Sequence, residues 1–263
     1  MKIAPALAAL LVAAPTAAQD KPRDYCPDRP GLGLPACIID TGRVSVETSL
    51  ADWTLERQPG ERTDTIVIAD TQVRIGLTDT IEALVGWAPV GFVRDRSGGV
   101  VDRATRVGDM TLGLKANLAN PNGSGFSVAV QPFVTLPAGR QPVSAGDWGA
   151  GVVVPLTYDL SKTVNVQFVP EVDAAVDQDG RGRHLAASAI VGLGVQLGDK
   201  LTVEVEGEVL RDDDPLGKTT QDLAAVSLAY KATDDLQFDV GGIAGLNRDA
   251  PDVELLAGIS RRF

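Results

Sequence analysis

The sequence predicts an all-β protein, a transmembrane antiparallel up-and-down β-barrel of about twelve strands. Three observations carry that expectation. From Arg43 to Phe263 the chain repeats stretches of about ten residues in which apolar and polar or small residues alternate, the period of a strand with two unlike faces. The connections between these stretches alternate between short and long. No run of 18 apolar residues occurs, so nothing reads as a membrane-spanning helix.

The first element is expected to be a signal peptide, residues 1–18. Met1-Lys2 is a basic start, residues 3–14 are apolar, and Pro15 to Gln19 supply a small-residue cleavage site. Residues 19–42 then read as a periplasmic segment. An exported chain meets an oxidising compartment, so Cys26 and Cys37 are expected to pair and close the loop CPDRPGLGLPAC, a candidate plug or periplasmic tether. Residues 43–263 read as the barrel, with strands near 43–54, 65–77, 81–92, 108–118, 126–135, 148–160, 164–175, 184–197, 201–211, 219–230, 236–246 and 253–263. Strands of about 9–11 residues suit a tilted bilayer crossing. The connections at 78–80, 119–125, 161–163, 198–200 and 231–235 are short and turn-like, while 94–107, 137–147 and 212–218 read as longer loops. Twelve strands place both ends of the barrel on the short-turn rim, which faces the periplasm in outer-membrane barrels.

Parity assigns the faces. In 201–211, Leu201, Val203, Val205 and Val209 oppose Thr202, Glu204, Glu206 and Glu208. A soluble sandwich alternates too, but the aromatics separate the two cases. With the apolar face outward, Phe126, Tyr158, Tyr230, Phe238 and Phe263 lie at short-turn ends, and Trp87 and Trp148 at long-loop ends. Two such belts mark the two membrane interfaces. Phe263, closing an alternating strand, resembles the signal read by the barrel-assembly machinery.

The net charge of −11 argues against a nucleic-acid partner. The expected partners are outer-membrane lipid and lipopolysaccharide, the assembly machinery and a small-molecule solute. The expected lumen is rich in carboxylates: Asp70, Glu171, Asp173, Glu204, Glu206, Glu208 and Asp239, with Arg43, Arg74, Lys115 and Arg262 as basic partners. Such a lumen is either a salt-bridged, rigidified interior or a conduit biased towards cations and neutral polar solutes. Glu204-x-Glu206-x-Glu208 is the leading candidate for that field. Phe133 and Trp53 are the aromatics expected to face the lumen. The loop DQDGRGRH begins like a calcium loop at Asp177 and Asp179, but Ser188 stands where the bidentate Glu belongs, so no metal or other cofactor is expected beyond weak divalent binding there. His184 is the single histidine, and a catalytic site cannot be assembled around it from sequence.

The stretches VGDMTLGLKANL (107–118), SVAVQPFVTLPAG (127–139) and GDWGAGVVVPLTYDLS (146–161), with the ending LNRDAPDVELLAGISRRF (246–263), resemble outer-membrane transporters of the meta-pathway phenol-degradation family. The resemblance covers most of 43–263 and implies a transporter-like barrel handling small solutes, aromatic compounds among them. The alternatives are a closed structural or surface-interaction barrel without conductance, and an outer-membrane lipid-acting enzyme.

Overall fold

The computed structural model describes residues 22–263; the expected signal peptide and cleavage site lie outside the described residues. The chain forms strand segments β1 (Val44–Gln58), β2 (Glu61–Ile68), β3 (Thr71–Gly76), β4 (Ile81–Trp87), β5 (Val90–Ser97), β6 (Val100–Arg106), β7 (Met110–Ala119) and β8 (Phe126–Leu136). It continues through β9 (Gly149–Val153), β10 (Leu156–Asp159), β11 (Val164–Val176), β12 (Arg183–Leu197), β13 (Leu201–Asp212), β14 (Thr219–Thr233), β15 (Leu236–Gly245) and β16 (Val253–Arg262).

These segments build a closed barrel of twelve antiparallel staves, because β2–β3, β4–β5, β6–β7 and β9–β10 are each one stave interrupted once. Pro89 and Pro155 sit in two of the interruptions, where the missing N–H cannot join a ladder. Ala69, with φ 59°, makes another. Closure is by β1 on β16, from Ser45 opposite Arg262 to Leu55 opposite Val253.

Burial is inverted relative to a water-soluble sandwich. The outward positions expose Leu114, Val152, Phe168, Val191, Val205, Val226, Val240 and Leu255 around the barrel. The interior buries Ser45, Glu47, Arg74, Glu82, Lys115, Asn117, Glu206 and Asp239. A sandwich would bury the apolar face; an apolar exterior of this extent is the surface of an outer-membrane barrel in its bilayer. Phe126, Tyr158, Tyr230, Phe238 and Phe263 are exposed at the short-turn end, and Trp87 and Trp148 lie exposed towards the other.

Two expectations are corrected. Residues 94–107 are not a loop: β5 and β6 continue outward as a hairpin through Gly98-Gly99, whose φ values of 57° and 85° suit a tight primed turn. Trp53 does not face the lumen. The register slips between Ser49 and Ala51, the extra residue reverses the parity of β1, and Trp53 stands between Ile66 and Leu255 on the outside. Of the plug and tether readings of the disulfide loop, the described residues 22–42 take the plug's place and thread into the lumen from the short-turn end.

Candidate functional site

Pro27, Pro30 and Pro35, with Gly31 and Gly33, keep residues 22–42 out of regular secondary structure. A buried irregular segment must find partners for its backbone polar groups elsewhere, and the barrel wall provides them. Glu47 accepts from the N–H groups of Asp28 at 2.7 Å and Arg29 at 3.2 Å. Across the lumen, Glu206 accepts from Leu32 at 2.8 Å, Gly33 at 2.9 Å and the Gln167 amide at 2.8 Å. Glu82 accepts from Ile39 at 2.9 Å, and Asn117 donates to the Ala36 carbonyl at 2.8 Å. Cys26 and Cys37 are bonded and close the loop. Its apolar residues Leu32 and Leu34 pack on Val153, Val169 and Ile190, beside Phe133.

The firmest attachment is a buried ionic cluster. The Arg74 guanidinium meets Glu82 at 2.8 Å, Glu47 at 2.9 Å and Asp28 at 3.2 Å. Lys115 meets Asp28 at 2.7 Å and Glu82 at 3.7 Å. Arg74, Glu82 and Lys115 have no exposed surface. The two wall cations, each also facing wall carboxylates, thus share one further carboxylate, Asp28, contributed by the lumen segment. Burial alone would push the Asp28 carboxyl up, but Arg74 and Lys115 outweigh it and hold it below the ordinary carboxylate range. Further ties join Arg29 to Asp239 at 2.9 Å and Arg262 to Asp40 at 3.4 Å, and Arg262 also reaches Asp235 at 2.7 Å.

Two cavities flank this segment. One, of about 450 Å³, opens among Lys162, Asp199, Lys200 and Lys231 at the short-turn rim. The other, of about 440 Å³, lies towards the long loops, among Asp70, Gly86, Thr111 and Val143. Asp28, Arg29 and Gly33 line both, so these residues form the partition. Above the second cavity, the 137–147 loop is drawn inward, because the N–H groups of Gly139 and Gly146 donate to the Asp109 carboxylate at 2.8 and 3.0 Å.

The residues singled out from sequence separate into groups. Arg74, Lys115, Glu206, Asp239 and Arg262 all hold the lumen segment. Of the three glutamates of β13, Glu206 is the one that accepts from the lumen segment. Glu204 lines the first cavity, and Asp70 lines the second. Glu171 stands beside Asp173 and Glu208 on the wall of β11 and β13. Among the described residues Glu171, Asp173, Glu204 and Glu208 have no salt-bridge partner. The backbone N–H of Arg43 donates to Asp40 at 3.0 Å, just before β1. Asp177 and Asp179 do not converge: Asp177 contacts His184 at 3.0 Å, while Asp179 accepts from the N–H of Arg181 in the hairpin tip. The other His184 nitrogen faces Asp212 at 2.9 Å, so both ring nitrogens meet carboxylates rather than a hydroxyl. Asp28, Arg29 and Asp40 were not anticipated from sequence; the charged pair between two prolines in CPDRP was the one local signal for Asp28 and Arg29, and Asp40 had none.

The family described as MetA-pathway of phenol degradation matches residues 28–263. Comparison with curated protein sequences finds no match. Similar solved structures include the transport unit of the autotransporter AIDA-I from Escherichia coli, at TM-score 0.52 and 8% identity over 83% of this chain and 89% of that one. KdgM porin in complex with disordered oligogalacturonate aligns at TM-score 0.50 and 9% identity, over 84% of this chain and 99% of the porin. The translocator domain of autotransporter NalP from Neisseria meningitidis aligns at TM-score 0.50 and 13% identity, over 85% and 89%. At these identities the likeness is one of fold.

Proposed function

The chain belongs to the MetA-pathway of phenol degradation family, and we propose that it is an outer-membrane channel for small solutes, held shut by its own segment 22–42. The observation that carries this reading is the partition by Asp28, Arg29 and Gly33 between two vestibules of about 450 and 440 Å³. Withdrawal of the segment joins them. It also uncovers the lumen patch of Phe133, Val153, Val169 and Ile190, now covered by Leu32 and Leu34. An aromatic ring competes for that patch, which suits the family's name, and the unpaired wall carboxylates favour neutral or cationic solutes over anions. In this assignment residues 43–263 are the barrel, the described residues 22–42 are its plug, and Phe263 serves as the assembly signal. No catalytic role is assigned to His184.

Planar-bilayer conductance tests the proposal. The full exported chain should conduct weakly, and the same chain lacking residues 22–42 should show large discrete steps. Silence from both proteins, with folding verified by heat-modifiable gel migration, would leave a structural barrel in place of a channel.

A further inference from the structure

The outer face of the barrel carries a second feature, away from the lumen. Along β4 and β5 the outward positions are Ile81, Ala83, Val85, Trp87, Val90 and Phe92, and the next two are Arg94 and Arg96. About ten residue steps at about 3.3 Å, on a strand tilted by about 40°, rise about 25 Å, the height of the apolar band of such barrels. The arginines therefore begin where the hydrocarbon ends, on the long-loop side that faces the cell exterior. Neighbouring strands agree in level. Arg62 pairs across from Arg96, and Arg103 from Arg94, while Ile66 pairs across from Phe92 below them.

In a chain of net charge −11, a concentration of cations on one outward face calls for a partner. Arg62 has one, Asp64 at 2.7 Å. Arg94, Arg96 and Arg103 have no salt bridge among the described residues, and the Nε of Arg94 is buried without a hydrogen-bond acceptor. These side chains line a cavity of about 430 Å³ with Phe92 and Ile66 at its apolar end. The ligand that fits is amphipathic: an anionic head for the guanidinium forks and an acyl chain for the aromatic floor. Guanidinium forks match phosphate oxygens in bidentate geometry.

We propose that the outward cavity between β2, β5 and β6 binds one molecule of lipid A, the phosphorylated glycolipid of the outer leaflet. Arg94, Arg96 and Arg103 hold a glucosamine phosphate, and an acyl chain lies on Phe92 and Ile66. The β5–β6 hairpin extends beyond the closed ladder and pairs only within itself and with β2, so it presents these arginines without a role in closing the barrel.

The test is native mass spectrometry of the refolded protein in a neutral detergent, titrated with purified lipid A, dephosphorylated lipid A or phosphatidylglycerol. One lipid A should bind per chain, and the combined variant R94Q/R96Q/R103Q should bind at least about tenfold more weakly, as expected for lost charge-assisted hydrogen bonds. R103Q alone serves if the triple variant does not fold, with a loss of about threefold or more. Equal uptake by wild type and variant, or by lipid A with and without its phosphates, would overturn the proposal. So would phosphatidylglycerol binding as tightly as lipid A, which would reduce the site to a general anionic-lipid contact.

Discussion

Arg74 is the residue on which the lumen segment most depends. It is fully buried, and its three acidic partners come from β1, β4 and the segment itself. Removing one member of a buried ionic cluster leaves the others uncompensated, at a cost of about 3–5 kcal/mol. R74M should therefore loosen residues 22–42 while the barrel persists, read as faster hydrogen exchange in that segment alone. Asp28 adds a pH dependence. Its folded value is depressed, so its contribution is fully present above the ordinary carboxylate value of about 3.9 and is lost as pH falls through the depressed one. Protection of 22–42 from exchange, taken relative to the intrinsic rate at each pH, should stay high at neutral pH and fall only below about pH 4. D28N should be loose at neutral pH and show no such step; an acid step that survives in D28N would assign the effect elsewhere.

At the scale of elements, the segment and the wall fit because the wall is thin where they meet. Gly76, at the end of β3, faces inward, and a Cβ there would collide with the Asp40 carbonyl. G76V should push the segment off the wall, raising both its hydrogen exchange and the channel's conductance. Gly207 makes the comparison clean: it faces outward on β13, and its nearest neighbour to an added Cβ is the Leu223 carbonyl at 3.8 Å. G207V should leave the segment and the conductance unchanged. If both variants conduct alike, crowding at Gly76 is not what seats the segment. The interrupted staves matter at this scale as well. Across three of the four interruptions the alternation shifts by one residue, as it does at the bulge in β1 that turns Trp53 outward, whereas from β9 to β10 it runs on unbroken.

For the molecule as a whole, charge is sorted by position. Glu171, Asp173 and Glu208 stand without a salt bridge among the described residues on one wall of the lumen, while the cations of the interior are engaged by the segment. A channel freed of residues 22–42 should accordingly prefer potassium over chloride. E171Q/D173N/E208Q should cut that preference severalfold without closing the pore. Reversal-potential measurements in a salt gradient decide it, and an anion-selective pore would contradict the electrostatic reading. The same measurement with phenol present would reveal block by an aromatic solute at the Phe133 patch.

Sequence alone determined the class of the molecule. Alternation is local: each residue's face follows from its neighbour's, so strands, belts of aromatics and an apolar exterior are visible without any fold. Short and long connections likewise fix which rim holds the barrel ends. What tertiary structure decided was the use of the interior. Leu32 meets Glu206 across 174 residues and Arg29 meets Asp239 across 210, and no local pattern marks either pairing. The triplet Glu204, Glu206 and Glu208 looks uniform in sequence, yet one member caps the lumen segment and the other two do not. A carboxylate's role depends on what lies opposite it once the barrel closes, and closure is a property of the whole chain.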